Sequence, residues 1–136
     1  MLVSLMVMAT AALSVWKTAR PATADILPGR AYTLALRPSP MPLIKTAGPI
    51  PKSDSFRGYI PLRIARPGAY GIALSDRGWI DLTRGKEPAL KSASHGHGPA
   101  CSSIRKIVNF NLRPGTYMLQ IAESPVAKVK VLVIQN

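Results

Sequence analysis

Arg66-Pro67-Gly68-Ala69-Tyr70 and Arg113-Pro114-Gly115-Thr116-Tyr117 are one five-residue pattern met twice in a single chain. In each, Pro presets φ for the second position of a turn and Gly supplies the positive φ of the third. Each follows a run of alternating residues and leads into another. Ile60, Leu62 and Ile64 precede the first, and Tyr70, Ile72 and Leu74 follow it. Val108, Phe110 and Leu112 precede the second, and Tyr117, Leu119 and Ile121 follow it. A period of two is the signature of a half-buried strand. Two strand–turn–strand units of one kind point to a two-sheet sandwich, since two copies are too few for a solenoid.

The rest of the chain fits that frame. Tyr32 to Leu36 alternates and reads as a strand. Pro61 inside the strand from Tyr59 marks an edge or a bulge. Ser75 to Gly78 is a turn, and Trp79 to Leu82 is the next strand. Residues 83–103 lack apolar periodicity and read as a long loop. Ile104 to Leu112 is a strand with Ile104, Val108, Phe110 and Leu112 on one face, a face that Lys106 interrupts near its start. Val126 to Ile134 is a final strand with Val129, Val131 and Val133 inward. Lys128 and Lys130 face out, as on an edge strand. The expected core is Leu62, Ile64, Tyr70, Ile72, Leu74, Ile80, Leu82, Val108, Phe110, Leu112, Tyr117, Leu119, Ile121, Val129, Val131 and Val133. Seven or eight short strands predict an all-β, antiparallel, jelly-roll-like sandwich. A chain of 136 residues has room for one domain. Residues 25–58 form its proline-rich beginning, where Pro38, Pro40, Pro42, Pro49 and Pro51 exclude helix and central strand. Residues 59–136 form the main part of a domain over 25–136.

Residues 2–16 carry no charge. The run is shorter than the ~20 residues of a spanning helix, and the small-x-small site Ala22-Thr23-Ala24 follows it. This is the pattern of an export signal, with cleavage expected after Ala24 and a periplasmic or secreted location. An uncleaved membrane anchor is the alternative, because the n-region lacks Lys and Arg and the true start is then upstream. No cysteine follows the run, which excludes a lipoprotein anchor, and no membrane span remains after cleavage.

Lys and Arg outnumber Asp and Glu by 18 to 6, for a net charge of +12. Such a protein is drawn to anionic envelope polymers or polysaccharide. A merely solvated basic surface is the other reading. The basic residues are scattered and few aromatics lie among them, so no nucleic-acid module is indicated. Six carboxylates leave little room for a paired-acid active site, and no phosphate-binding loop, nucleophile elbow or zinc-protease motif occurs.

The residues with chemistry are concentrated in His95-Gly96-His97-Gly98-Pro99-Ala100-Cys101, which holds both histidines and the single cysteine. Two imidazoles and a thiolate on one loop suit Cu or Zn, with Asp76, Asp81 or Met118 as a fourth ligand and Gly96 and Gly98 free to take positive φ. Two other readings stay open. The loop is structural, its imidazoles bonded to backbone, or Cys101 is a reactive thiol, paired with a histidine or linking two chains into a dimer. Trp79 with Asp81 is a candidate carbohydrate platform, and Arg105 and Lys106 are candidate ligand-binding cations.

Two resemblances follow from these motifs. The rhythm of residues 59–82 and 110–121 resembles carbohydrate-binding and pre-peptidase C-terminal β-sandwich modules of secreted bacterial proteins. The stretch from Gly78-Trp79-Ile80-Asp81 through His95-Gly96-His97-Gly98-Pro99-x-Cys101-x-x-Ile104-Arg105-Lys106-x-Val108-x-Phe110 to Pro114-Gly115-x-Tyr117-x-Leu119-Gln120-Ile121 is similar to a family of small exported proteobacterial proteins labelled homogentisate 1,2-dioxygenase. The label implies a metal-dependent oxygenase. Homogentisate dioxygenases proper are several times longer, with a cupin core and a two-His, one-Glu iron site. Here Glu87 and Glu123 are the only glutamates beside two histidines, so the label does not transfer. The expectation is an exported, non-enzymatic binding or envelope-associated module with a candidate metal site at the histidine loop, and the oxygenase is the alternative.

Overall fold

The computed structural model describes residues 13–38 and 55–136. Residues 2–12 of the apolar run, and all but Pro38 of the five prolines, lie outside the described residues. A four-residue helix, α1 (Leu13–Trp16), precedes ten strands. These are β1 (Arg20–Pro21), β2 (Ala31–Ala35), β3 (Arg37–Pro38), β4 (Phe56–Ile64), β5 (Gly68–Leu74), β6 (Trp79–Thr83), β7 (Ser94–Gly96), β8 (Lys106–Leu112), β9 (Gly115–Ser124) and β10 (Lys128–Gln135). One sheet has the order β1-β2-β10-β5-β8-β7 and the other β3-β4-β9-β6. From β4 to β10 the chain changes sheet at every step except β7 to β8, the winding of a jelly roll. An eighth long strand would pair with the free side of β6. Among the described residues that side carries a single loop contact, Leu90 N donating to Leu82 O at 2.9 Å. The sandwich is therefore open between β6 and β8.

The repeated pattern explains much of this topology. Each Pro-Gly corner carries the chain from one sheet to the other, β4 to β5 and β8 to β9. The two units then pair crosswise, β4 with β9 and β5 with β8. Gly68 and Gly115 adopt φ of 153° and 144°, values a side chain disfavours. Each Tyr closes its own corner. The Tyr70 hydroxyl donates to Arg66 O at 2.7 Å. The Tyr117 hydroxyl donates to Arg113 O and accepts from Arg113 N, both at 2.9 Å.

All sixteen expected core residues belong to the inter-sheet cluster, joined by Ile26, Leu34 and Leu36. Pro61 sits where β4 has only one long neighbour. β3 reaches no further than Arg57, and beyond it Ile26 makes a single bridge to Leu62. Three expectations are corrected. β10 is central, between β2 and β5. Lys128 and Lys130 look like edge residues because they occupy its outward positions. Ile104 precedes β8 and belongs to a second cluster with Trp16, Ala31, Ala73, Ile107 and Leu132. Residues 94–96 of the expected loop form strand β7 on the rim of the larger sheet.

The second cluster ties the N-terminal segment to the outer face of that sheet. Trp16 is 2% exposed. Its Nε1 donates to Ser103 Oγ at 3.0 Å, and Lys130 Nζ lies 4.8 Å from its ring centroid. β1 adds to β2 in parallel, at Arg20↔Tyr32 and Pro21↔Thr33. A chain cleaved after Ala24 would lose this cover and have Ile26 as its first buried anchor. No helix among the described residues is long and apolar enough to cross a membrane.

Candidate functional site

The opening between β6 and β8 is a cavity of about 580 Å³. Its apolar lining is Ile80 from β6, Val108 and Phe110 from β8, and Leu90 from the covering loop. Trp79, Asp81, His95 and Lys106 bring the polar and aromatic chemistry. Lys106 occupies the inward register of β8, two residues before Val108, where the missing strand leaves no partner sheet to pack against. The break in apolar period at this position is the sequence signal of the cavity. Lys106 Nζ donates to Gly78 O at 3.0 Å and lies 5.4 Å from the Trp79 ring centroid. It thus spans the mouth from one sheet to the other. Trp79 remains 39% exposed, whereas Asp81 is 3% exposed.

Burial holds the Lys106 ammonium below its ordinary value, and the Asp81 carboxylate partly offsets this. The folded chain therefore releases this proton at lower pH than the unfolded chain. Between the two values the unfolded state binds more protons, so stability rises with pH. The stability of the chain relative to a Lys106→Met variant is expected to rise as pH climbs from the lowered value toward the ordinary lysine value of 10.5. Urea denaturation of both proteins reads the difference, and a flat or falling difference would show that Lys106 is well solvated.

A second hollow, about 190 Å³, adjoins the first and shares His95 and Lys106 with it. Arg77, Gly96, His97 and Arg105 complete its lining. The strands explain this convergence. Leu74 and Lys106 are the last pair of β5 and β8, so the turn after β5 and the entry to β8 lie at one end of the sheet. β7 runs to the same end, with His95 opposite Val108 and Gly96 opposite Ile107. His97 follows, its Nδ1 donating to Arg105 O at 3.2 Å. A carbonyl only accepts, so Nδ1 carries the proton in this contact.

The expected metal ligands are not assembled. Among the described residues no three His, Cys, Asp or Glu side chains form a group that could hold a metal ion. His95 belongs to β7, His97 is turned to backbone, and Cys101 is exposed and lines neither hollow. Gly96 and Gly98 do not take positive φ. Cys101 and Ser103 do, at 62° and 65°. The loop closes on itself instead: Gly98 N donates to Ile104 O at 3.2 Å, and Ser102 Oγ to Pro99 O at 2.6 Å. Compact spacing in sequence thus produced an ordered turn here. Trp79, Asp81, Arg105 and Lys106 are brought to the cleft together, with Asp76, one proposed fourth ligand, accepting from Arg77 N at 2.9 Å. Met118, another, pairs with Thr83 on β6 and Pro61 on β4. Val108, Phe110 and Leu90 are site residues the sequence does not reveal, because strand order and the covering loop place them beside Trp79, and Arg77 is lost among scattered basic residues.

No family model matches the chain, and no curated protein matches it.

Proposed function

We propose that this chain is a non-enzymatic binding protein of the periplasm or the secreted space, whose cleft takes a carbohydrate of the cell envelope. The observation that carries this reading is the Trp79 ring, exposed at the mouth of an apolar-lined cavity and backed by the Lys106 ammonium. An aromatic face accepts the C–H face of a sugar ring, while the cation and Asp81 supply the few polar contacts that orient it. The export pattern before Ala24 and the net charge of +12 agree with an envelope partner. The oxygenase reading requires two imidazoles and a carboxylate on one centre, and nothing among the described residues favours it.

Calorimetric titration with trigalacturonate tests the reading. Trp79→Ala is expected to weaken binding about tenfold or more, the scale of one lost aromatic contact. Unchanged affinity in the variant would remove the cleft from the function. Mass spectrometry of protein recovered from the periplasm is expected to begin at Asp25. Full-length chain found only in membranes would favour an anchor.

A further inference from the structure

The smaller hollow is unusually uniform in charge. Arg77, Arg105 and Lys106 line it together with His95, His97 and Gly96, and no carboxylate does. Two acids adjoin the lining residues without joining the lining. Asp76 accepts its hydrogen bond from the Arg77 backbone, and Asp81 acts on Lys106 from the larger cavity. Three formal positive charges in one concavity repel one another and raise the local potential. A bound anion relieves that repulsion. Guanidinium groups present planar forks of donors that match a carboxylate, sulfate or phosphate group.

We infer that this hollow is an oxyanion subsite of the cleft, in which Arg77 and Arg105 hold an acidic substituent of a sugar whose ring lies against Trp79. The inference rests on the carbohydrate reading above and names its ligand class, an acidic polysaccharide. The two hollows adjoin at His95 and Lys106, which line both, and the proposed ligand spans the two across these side chains. Lys106 lines both hollows, partly buried, and gains a counter-charge when the acid binds. Arg77 and Arg105 are both exposed, so replacing them does not disturb the core.

The test is calorimetry on the full chain and on an Arg77→Gln/Arg105→Gln double variant. The probes are trigalacturonate, its fully methyl-esterified neutral counterpart, a sulfated heparin tetrasaccharide and inorganic phosphate. The acidic oligosaccharides are expected to bind the native chain about tenfold or more tightly than the ester, as a charge-assisted fork contact would give. The double variant is expected to lose that preference and keep its affinity for the ester. Equal binding of acid and ester to the native chain, still dependent on Trp79, overturns the subsite and leaves the carbohydrate reading standing. A preference for the acid that survives in the double variant overturns the assignment to Arg77 and Arg105. Phosphate binding as tightly as the acidic sugars replaces the polysaccharide with a free anion and overturns the ligand class. Failure of every oligosaccharide to bind overturns both readings.

Discussion

Tyr117→Ala is expected to destabilise the protein by about 3–5 kcal/mol, the range for removing a buried aromatic from a core. The ring is almost fully buried in the inter-sheet cluster, and the Arg84 guanidinium lies over it, 5.5 Å from the centroid. Its hydroxyl also closes the corner between β8 and β9 by bonding both the N–H and the C=O of Arg113. Tyr117→Phe keeps the ring and removes only those bonds, so about 1 kcal/mol is expected. Tyr70→Phe should cost a similar amount, because Tyr70 makes the equivalent return to Arg66 O. Denaturant titration with a common m-value measures all three. A Tyr117→Ala variant within about 1 kcal/mol of the native chain would mean that the corner and its core contacts are dispensable.

Gly98→Ala is the second substitution with a large expected effect. A Cβ at Gly98 would press on Ile104 Cβ and stand 2.6 Å from both Ile104 Cγ2 and Ile104 O. Backbone would have to move. The movement breaks the Gly98 N to Ile104 O bond and displaces Ile104 from its seat beside Trp16 and Ile107. It also disturbs the contact of His97 with Arg105 O at the edge of the oxyanion hollow. A loss of about 1–3 kcal/mol is expected from overpacking, together with weaker binding of acidic sugars. Gly96 is the internal control. Nothing lies within 4 Å of a Cβ there, so Gly96→Ala should stay within about 0.5 kcal/mol of the native chain. Equal effects at the two glycines would show that the loop does not pack as described.

Much of the sandwich is legible in the alternation of residues. Side-chain direction along a strand depends only on parity, so Leu62, Ile64, Phe110 and Tyr117 declare their face without knowledge of any neighbour. Parity is silent about strand order, and for that reason β10 was read as an edge. Outward lysines are compatible with a central strand whose outer side is partly wet. It is equally silent about a three-residue strand with exposed side chains, so β7 merged into the loop around it. The second cluster escaped because Ala31, Ala73, Ile107 and Leu132 hold the outward parity, and only the docking of Trp16 makes them interior.

The site divides in the same way. Closeness in sequence suggests that His95, His97 and Cys101 converge; the two histidines do line one hollow, but His97 Nδ1 is turned to Arg105 O and the turn at Pro99–Ser102 leads Cys101 away from both. The groups that do meet, Arg77, Trp79, His95, Arg105 and Lys106, come from three separate segments. Local chemistry by itself determined the strands, the two Pro-Gly corners, the inward face and the odd lysine in it, because these depend on φ preferences and on a period of two. Tertiary structure alone decided which strands are neighbours, that no strand among the described residues covers the free side of β6, and that the resulting gap gathers cations from distant segments. Such pairing is set by the long-range burial of whole faces, which no local pattern records.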